Sequence, residues 1–175
     1  GSVNIALFSD AERAAIGTLY KKEGPKAAIE LGLQYVRPAQ LVAAVRQKLG
    51  PQTKILVYCA RGGMRSQAVC WLLRFSLYNI WQLTGGYKAF RSWGRQQFGR
   101  PLPLLLLGGK TGVGKTRLLQ TLLAAGEQIV DLEKLANHKG SVFGGRFELQ
   151  PTQEQFENLF PCSLAGGCLQ KPLWV

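Results

Sequence analysis

Acidic residues are scarce in this chain: ten Asp and Glu stand against twenty-two Lys and Arg among 175 residues, a formal net charge of +12. Such an excess draws a protein toward phosphate-rich partners, nucleic acid first among them, although part of it can serve anion-binding loops within the chain itself. Histidine is scarcer still, His138 being the sole example. The four cysteines, Cys59, Cys70, Cys162 and Cys168, form neither a C-x-x-C pair nor a His-Cys ligand spacing, which argues against a zinc site and equally against a disulfide scaffold. No apolar run approaches the ~20 residues of a membrane-spanning helix. No charged-then-apolar leader is visible and Gly1-Ser2 reads as a cloning remnant, so the expected location is the cytoplasm. Internal repeats and low-complexity tracts are also lacking.

What is present is a globular composition, 46% hydrophobic with a mean hydropathy near zero, arranged as alternating helices and short apolar strands. Asp10 to Tyr20 reads as a helix capped by Ser9 or Asp10, with Glu12 and Arg13 outward. Pro25 to Leu31 reads as a second helix, and Ala39 to Leu49, stopped by Gly50-Pro51, as a third. Lys54 to Tyr58 is a continuous apolar run of the kind buried parallel strands carry. Ser66 to Phe75 is the next helix, and Asn79 to Leu83 the next strand, closed by Gly85-Gly86. Strand, loop, helix, strand implies a βαβ crossover. The pattern repeats with a strand at Leu104 to Leu107, a helix from Arg117 to Ala125 and a strand from Gln128 to Asp131. Beyond Gly140 the periodicity weakens, with Thr152 to Phe160 the one further helix and Thr152 its cap. The length suits one large domain or two small ones, and Gly94 to Pro103, with two prolines and two glycines, is the candidate boundary that would divide the chain into 3–95 and 101–175. Cys70 reads as a small core residue, and Trp71, Trp81 and Trp93 as core rather than base-stacking platforms.

Two loops carry the chemistry. Cys59-Ala60-Arg61-Gly62-Gly63-Met64-Arg65-Ser66 follows the first apolar run, at the carboxyl end of a strand where open α/β sheets place their sites. Amides converging on a sulfur at a helix start lower the thiol pKa without a neighbouring base. Gly62 and Gly63 allow the tight curl, Arg61 and Arg65 favour both the thiolate and an incoming anion, and Ser66 is placed to cap the following helix. Cys59 followed by five residues and Arg65 also matches the loop of cysteine-based phosphatases, with Tyr58 where those enzymes have histidine.

Gly109-Lys110-Thr111-Gly112-Val113-Gly114-Lys115-Thr116 is a complete G-x-x-x-x-G-K-[ST] phosphate loop. Its amides can wrap a phosphate at a helix start, Lys115 can reach the outer oxygens, and Thr116 can ligate magnesium. Asp131, at the end of the third strand, reads either as a magnesium-orienting acid or as a helix cap. Glu133 and His138 follow it.

The cysteine loop resembles that of rhodanese domains, and Leu83-Thr84-Gly85-Gly86-Tyr87-Lys88-Ala89-Phe90 is similar to the segment that follows it in that family. Tyr58 to Ser66, Gly85 to Lys88, the phosphate loop and the run Asp131 to Gly144 together resemble the family of bacterial tRNA 2-selenouridine synthases. The resemblance implies a partial rhodanese-like domain with a parallel sheet, lacking its opening strands, followed by a P-loop NTPase-like α/β domain lacking its C-terminal part. Ala60 stands where that family commonly has Trp. The resemblance further implies an enzyme that exchanges sulfur for selenium in wobble 2-thiouridine of tRNA through an S-geranylated intermediate. Selenophosphate and geranyl diphosphate would be its substrates, with ATP or Mg as further ligands. Cys59, Arg61 and Arg65 would be its catalytic set, and Gly109, Thr111, Gly112, Gly114, Lys115 and Thr116 its phosphate site. Asp131, Glu133 and His138 would assist. The alternatives are a rhodanese sulfurtransferase fused to a nucleotide-binding module, and an inactive RNA-binding remnant.

Overall fold

The computed structural model describes residues 2–50, 54–110, 112–139, 149–165, 167 and 171–175. The expectations placed on Pro51, Thr111, Gly140 to Gly144 and Cys168 lie outside them. The chain divides into two compact units, Gly1–Ala89 and Phe90–Val175.

The first unit opens with helices α1 (Asp10–Glu23), α2 (Pro25–Tyr35) and α3 (Pro38–Leu49), followed by β1 (Lys54–Val57), α4 (Met64–Phe75) and β2 (Asn79–Gln82). Ser9 starts α1 through a reciprocal box: its hydroxyl accepts from the Glu12 amide while the Glu12 carboxylate accepts from the Ser9 amide at 2.7 Å. The same carboxylate takes the Arg37 guanidinium at 2.7 Å, and this pairing holds Glu12 down to about 2. Glu12 thus ties α1 to the start of α3 rather than only facing outward. Gly24 ends α1 at φ 86°, and Pro25 and Pro38 fall in the first turns of their helices, where a missing N–H leaves nothing unpaired.

β1 and β2 pair in parallel, Lys54 opposite Asn79 through Val57 opposite Gln82, with α4 as the crossover. Val45, Ile55, Cys70, Leu73, Tyr78 and Ile80 form the core, with Val42, Leu49, Val57 and Val69 packed against it. The strands are buried on one face only: Leu56 and Trp81, on the other, remain 56% and 48% exposed. The expectation of a fully buried strand is therefore corrected, because period-two alternation sends every second apolar residue away from α3 and α4. The three tryptophans are corrected too. Trp71 is 69% exposed on the outer side of α4, stacked on Phe75 at 5.9 Å, and Trp93 is also exposed. Cys70 is buried as expected.

Helix α5 (Gly86–Phe98) runs through Gly94, where the composition suggested a linker. Within the second unit its later turns meet α8 (Gln153–Leu164). Arg91 pairs with Glu157 at 2.7 Å and donates to Asn158 at 3.0 Å, and Phe98 stacks on Phe160 at 5.0 Å. Gly94 is buried against α8, where a Cβ on it would lie 3.4 Å from the Pro161 ring, about an ordinary packing distance. The remaining elements are β3 (Leu104–Leu105), α6 (Lys115–Ala124), β4 (Gln128–Ile129), α7 (Leu132–Ala136) and β5 (Leu173–Trp174). The parallel sheet is ordered β3-β5-β4, so the last strand in sequence lies in the middle. Leu119 on α6, Val130 just after β4 and Leu173 on β5 are buried in this unit. Among the described residues no helix is long and apolar enough to cross a membrane.

Candidate active site

Cys59 sits just past the carboxyl end of β1, in a loop pressed against the Gly85-Gly86 turn. A Cβ at Gly86 would fall 2.2 Å from the Cys59 carbonyl oxygen, and one at Gly62 would fall 2.8 Å from the Gly85 and Gly86 nitrogens. Both residues have positive φ, 64° and 66°, so only glycine meets the steric and conformational demands together. This close approach lets the first turn of α5 grip the loop. The Tyr87 amide donates to the Cys59 carbonyl at 2.9 Å and the Lys88 amide to the Ala60 carbonyl at 3.0 Å. With those carbonyls held outward, the amides of Arg61, Gly63 and Ser66 are left to face the sulfur.

The sulfur's ionisation follows from this arrangement. Burial pushes the Cys59 thiol up, but its hydrogen bond with the Ser66 side chain and those from the backbone at Arg61, Gly63 and Ser66 together outweigh it and bring the thiol down to about 7. A large share of Cys59 is therefore thiolate at neutral pH. Cys70, by contrast, is pushed up by burial.

Ser66 does not cap α4. The cap is Gly63, without a side-chain bond, and Ser66, at the third helical position, is 2% exposed and turned under the loop. It donates to the Gly63 carbonyl at 2.9 Å and lies 3.3 Å from Cys59 Sγ. The Gln82 side chain donates to it at 3.2 Å and to the Gly62 carbonyl at 3.1 Å. Gln82 had no place in the sequence reading. Its signal is a polar residue two positions after buried Ile80, on the inward side of β2. The side chains of Arg61 and Arg65 are exposed and form no hydrogen bond or ion pair among the described residues, so they contribute positive potential at the mouth of the loop.

The phosphate loop joins β3 to α6. Gly112 (φ 87°) and Gly114 (φ 91°) supply its left-handed turns, Gly114 as the cap of α6. Lys115 folds back, its Nζ donating to the carbonyls of Gly109 at 2.9 Å and Lys110 at 3.2 Å. Thr116 is exposed in the first turn of α6. Asp131 caps α7, its Oδ1 accepting from the Lys134 amide at 2.9 Å. Glu133 lies on α7, and its carbonyl accepts from the His138 amide at 2.9 Å. Among the described residues no three His, Cys, Asp or Glu side chains cluster to hold a metal. The Thr116 hydroxyl and the second Asp131 oxygen are nonetheless the hard oxygen donors that magnesium prefers.

A thiolate at the end of one parallel strand pair and a phosphate loop at the end of a second parallel sheet define an α/β protein that joins a cysteine-loop domain to a P-loop domain. The chain belongs to the rhodanese-like domain family, which it matches over residues 1–92. Residues 102–170 match the tRNA 2-selenouridine synthase AAA domain. Among curated proteins the chain is similar to the tRNA 2-selenouridine synthase of Shewanella denitrificans, with 39% identity over 90% of this chain and 43% of that one. It is 42% identical to the synthase of Pseudomonas entomophila, covering 90% and 43%, and 42% identical to that of Serratia proteamaculans, covering 99% and 47%. The chain thus spans somewhat under half the length of these relatives.

Proposed function

We propose that this chain carries the chalcogen-handling and phosphate-binding parts of a tRNA-modifying enzyme that replaces sulfur by selenium in wobble 2-thiouridine. The observation that carries the reading is the acidified, hydrogen-bonded Cys59 thiol on the same chain as a phosphate loop of the selenouridine synthase type. Residues 3–95 form the rhodanese-like domain and 101–175 the P-loop domain of a cytoplasmic protein.

In this reading geranyl diphosphate alkylates the 2-thio group: the carbon–oxygen bond breaks, carbon–sulfur forms, and diphosphate leaves with the bonding pair. The Gly109 to Thr116 loop holds the diphosphate, Lys115 exchanging its own loop carbonyls for phosphate oxygens. Magnesium, where bound, would be held by Thr116 and Asp131 and would neutralise phosphate charge, with Glu133 and His138 as auxiliaries. Selenophosphate lies at the other loop between Arg61 and Arg65. The Cys59 thiolate attacks phosphorus, the P–Se bond breaks, and hydrogen selenide leaves with the pair; water then cleaves the S-phosphocysteine. Selenide adds to C2 of the S-geranyl base and geranylthiolate departs, leaving 2-selenouridine. A wobble base is reachable for this because anticodon-loop bases are unpaired.

The test is selenium incorporation into 2-thiouridine tRNA by the full protein bearing this chain. Cys59→Ala should abolish it, and unchanged conversion removes Cys59 from the mechanism. Labelled geranyl diphosphate and ATP, each offered with and without Lys115→Ala, identify the ligand of the phosphate loop. The rhodanese match supports a second reading, sulfurtransfer, in which thiosulfate leaves a persulfide on Cys59 and releases sulfite. Persulfide formation without any selenium transfer would select it.

A further inference from the structure

The carboxamide of Gln82 occupies the inward side of β2, where an unpaired polar group would be costly. Both hydrogens of its Nε2 are used, one on the Gly62 carbonyl at 3.1 Å and one on Ser66 Oγ at 3.2 Å. The reverse orientation would set its carbonyl oxygen against that of Gly62, so the nitrogen is fixed on this side. Ser66 then has one lone pair toward Gln82 and the other toward the Cys59 thiol, and its single proton on the Gly63 carbonyl.

Ionisation of Cys59 removes the S–H and changes what Ser66 must do. A thiolate needs a donor where the thiol was itself the donor, and the Ser66 hydroxyl proton is the one able to turn from Gly63 O to Sγ. Because Nε2 can only donate, Gln82 cannot take that proton, and a donor behind the hydroxyl polarises it and strengthens the bond it gives. The Gly62 contact meanwhile holds the loop to β2. We infer that Gln82 is a positioning residue for the Cys59 thiolate, acting through the Ser66 hydroxyl and the Gly62 carbonyl without touching the sulfur. This rests on the reading of Cys59 as the reacting nucleophile. Among the described residues, the other titratable and charged groups on the segments that form the loop are Tyr58 after β1, Arg61 and Arg65 on the loop and first turn of α4, and Tyr87 and Lys88 in the first turn of α5. They are common to every variant below.

The pH dependence of Cys59 alkylation by iodoacetamide, followed on its own peptide by mass spectrometry, tests the inference. Gln82→Leu should move the inflection up by about one pH unit, a tenfold loss of thiolate below it, while the high-pH plateau stays within about twofold. Gln82→Glu, whose carboxylate draws the Ser66 proton away, should move it at least as far. Ser66→Ala should raise the inflection by itself, and adding Gln82→Leu to it should give little further shift, since both act through one hydroxyl. A wild-type inflection in Gln82→Leu, or full additivity in the double variant, overturns the inference. Should Gln82→Leu fail to fold, Gln82→Asn, which keeps the amide but falls short by one methylene, carries the same expectation and refutation. A shifted inflection with undiminished selenium incorporation would instead sink the role of Cys59 and leave the Gln82 assignment standing.

Discussion

At Gly86 a single methyl group would meet three backbone atoms of the cysteine loop. Gly86→Ala should destabilise the protein by at least ~1–3 kcal/mol from the left-handed backbone alone, read as a lowered urea midpoint. It should also return Cys59 toward ordinary thiol reactivity by loosening the Tyr87 and Lys88 amides from their carbonyls. In the unaltered protein, alkylation of Cys59 should inflect at about 7. The same depression links to folding. A thiol acidified by the fold contributes stability that is complete above its unfolded value and is lost as pH falls through 7; Cys59→Ser, which stays neutral throughout, should lack that segment of the stability-versus-pH curve. Much of this site was legible residue by residue. Cys59 and its glycines stand out because thiol activation needs amides and amides need a tight turn. Gln82 and the working position of Ser66 were not legible, because their partners come from across the sheet and through burial rather than from neighbours in sequence.

Among the elements, α3, β1, α4 and β2 could be read directly, since apolar spacing and glycine or proline stops coincide there. β5 could not. It is two residues long, and its existence depends on Pro103, Leu105, Leu107 and Val130, whose backbone groups bond to it from distant parts of the chain. α5 escaped notice for a related reason: Gly94 reads as a breaker until Pro161 is seen packed against it. Because Leu173 is buried in the middle strand, Leu173→Ala should cost about 2–5 kcal/mol. Val175→Pro should be comparably harmful, as it deletes the donor to Leu105. Hydrogen exchange should then show lost protection in β3 and β4 while β1 and β2 keep theirs, since the two sheets belong to separate units.

For the whole molecule the governing quantity is its charge of +12. If tRNA is the substrate, its binding should weaken steeply with added salt, the logarithm of affinity falling against the logarithm of salt with a slope of roughly −0.7 to −0.9 per phosphate contacted. A slope near zero in a filter-binding titration would refute a backbone-dominated contact. The arrangement of the second sheet has a consequence during synthesis as well. The strand that must separate β3 from β4 is synthesised after both, about seventy residues after β3 and about forty-five after β4. At ~5–20 residues per second, the slot between β3 and β4 stays unfilled for roughly 2–9 s after β4 is made. Nascent chains are thereby exposed for seconds to chaperones, proteases and one another, a vulnerability that the finished protein no longer shows.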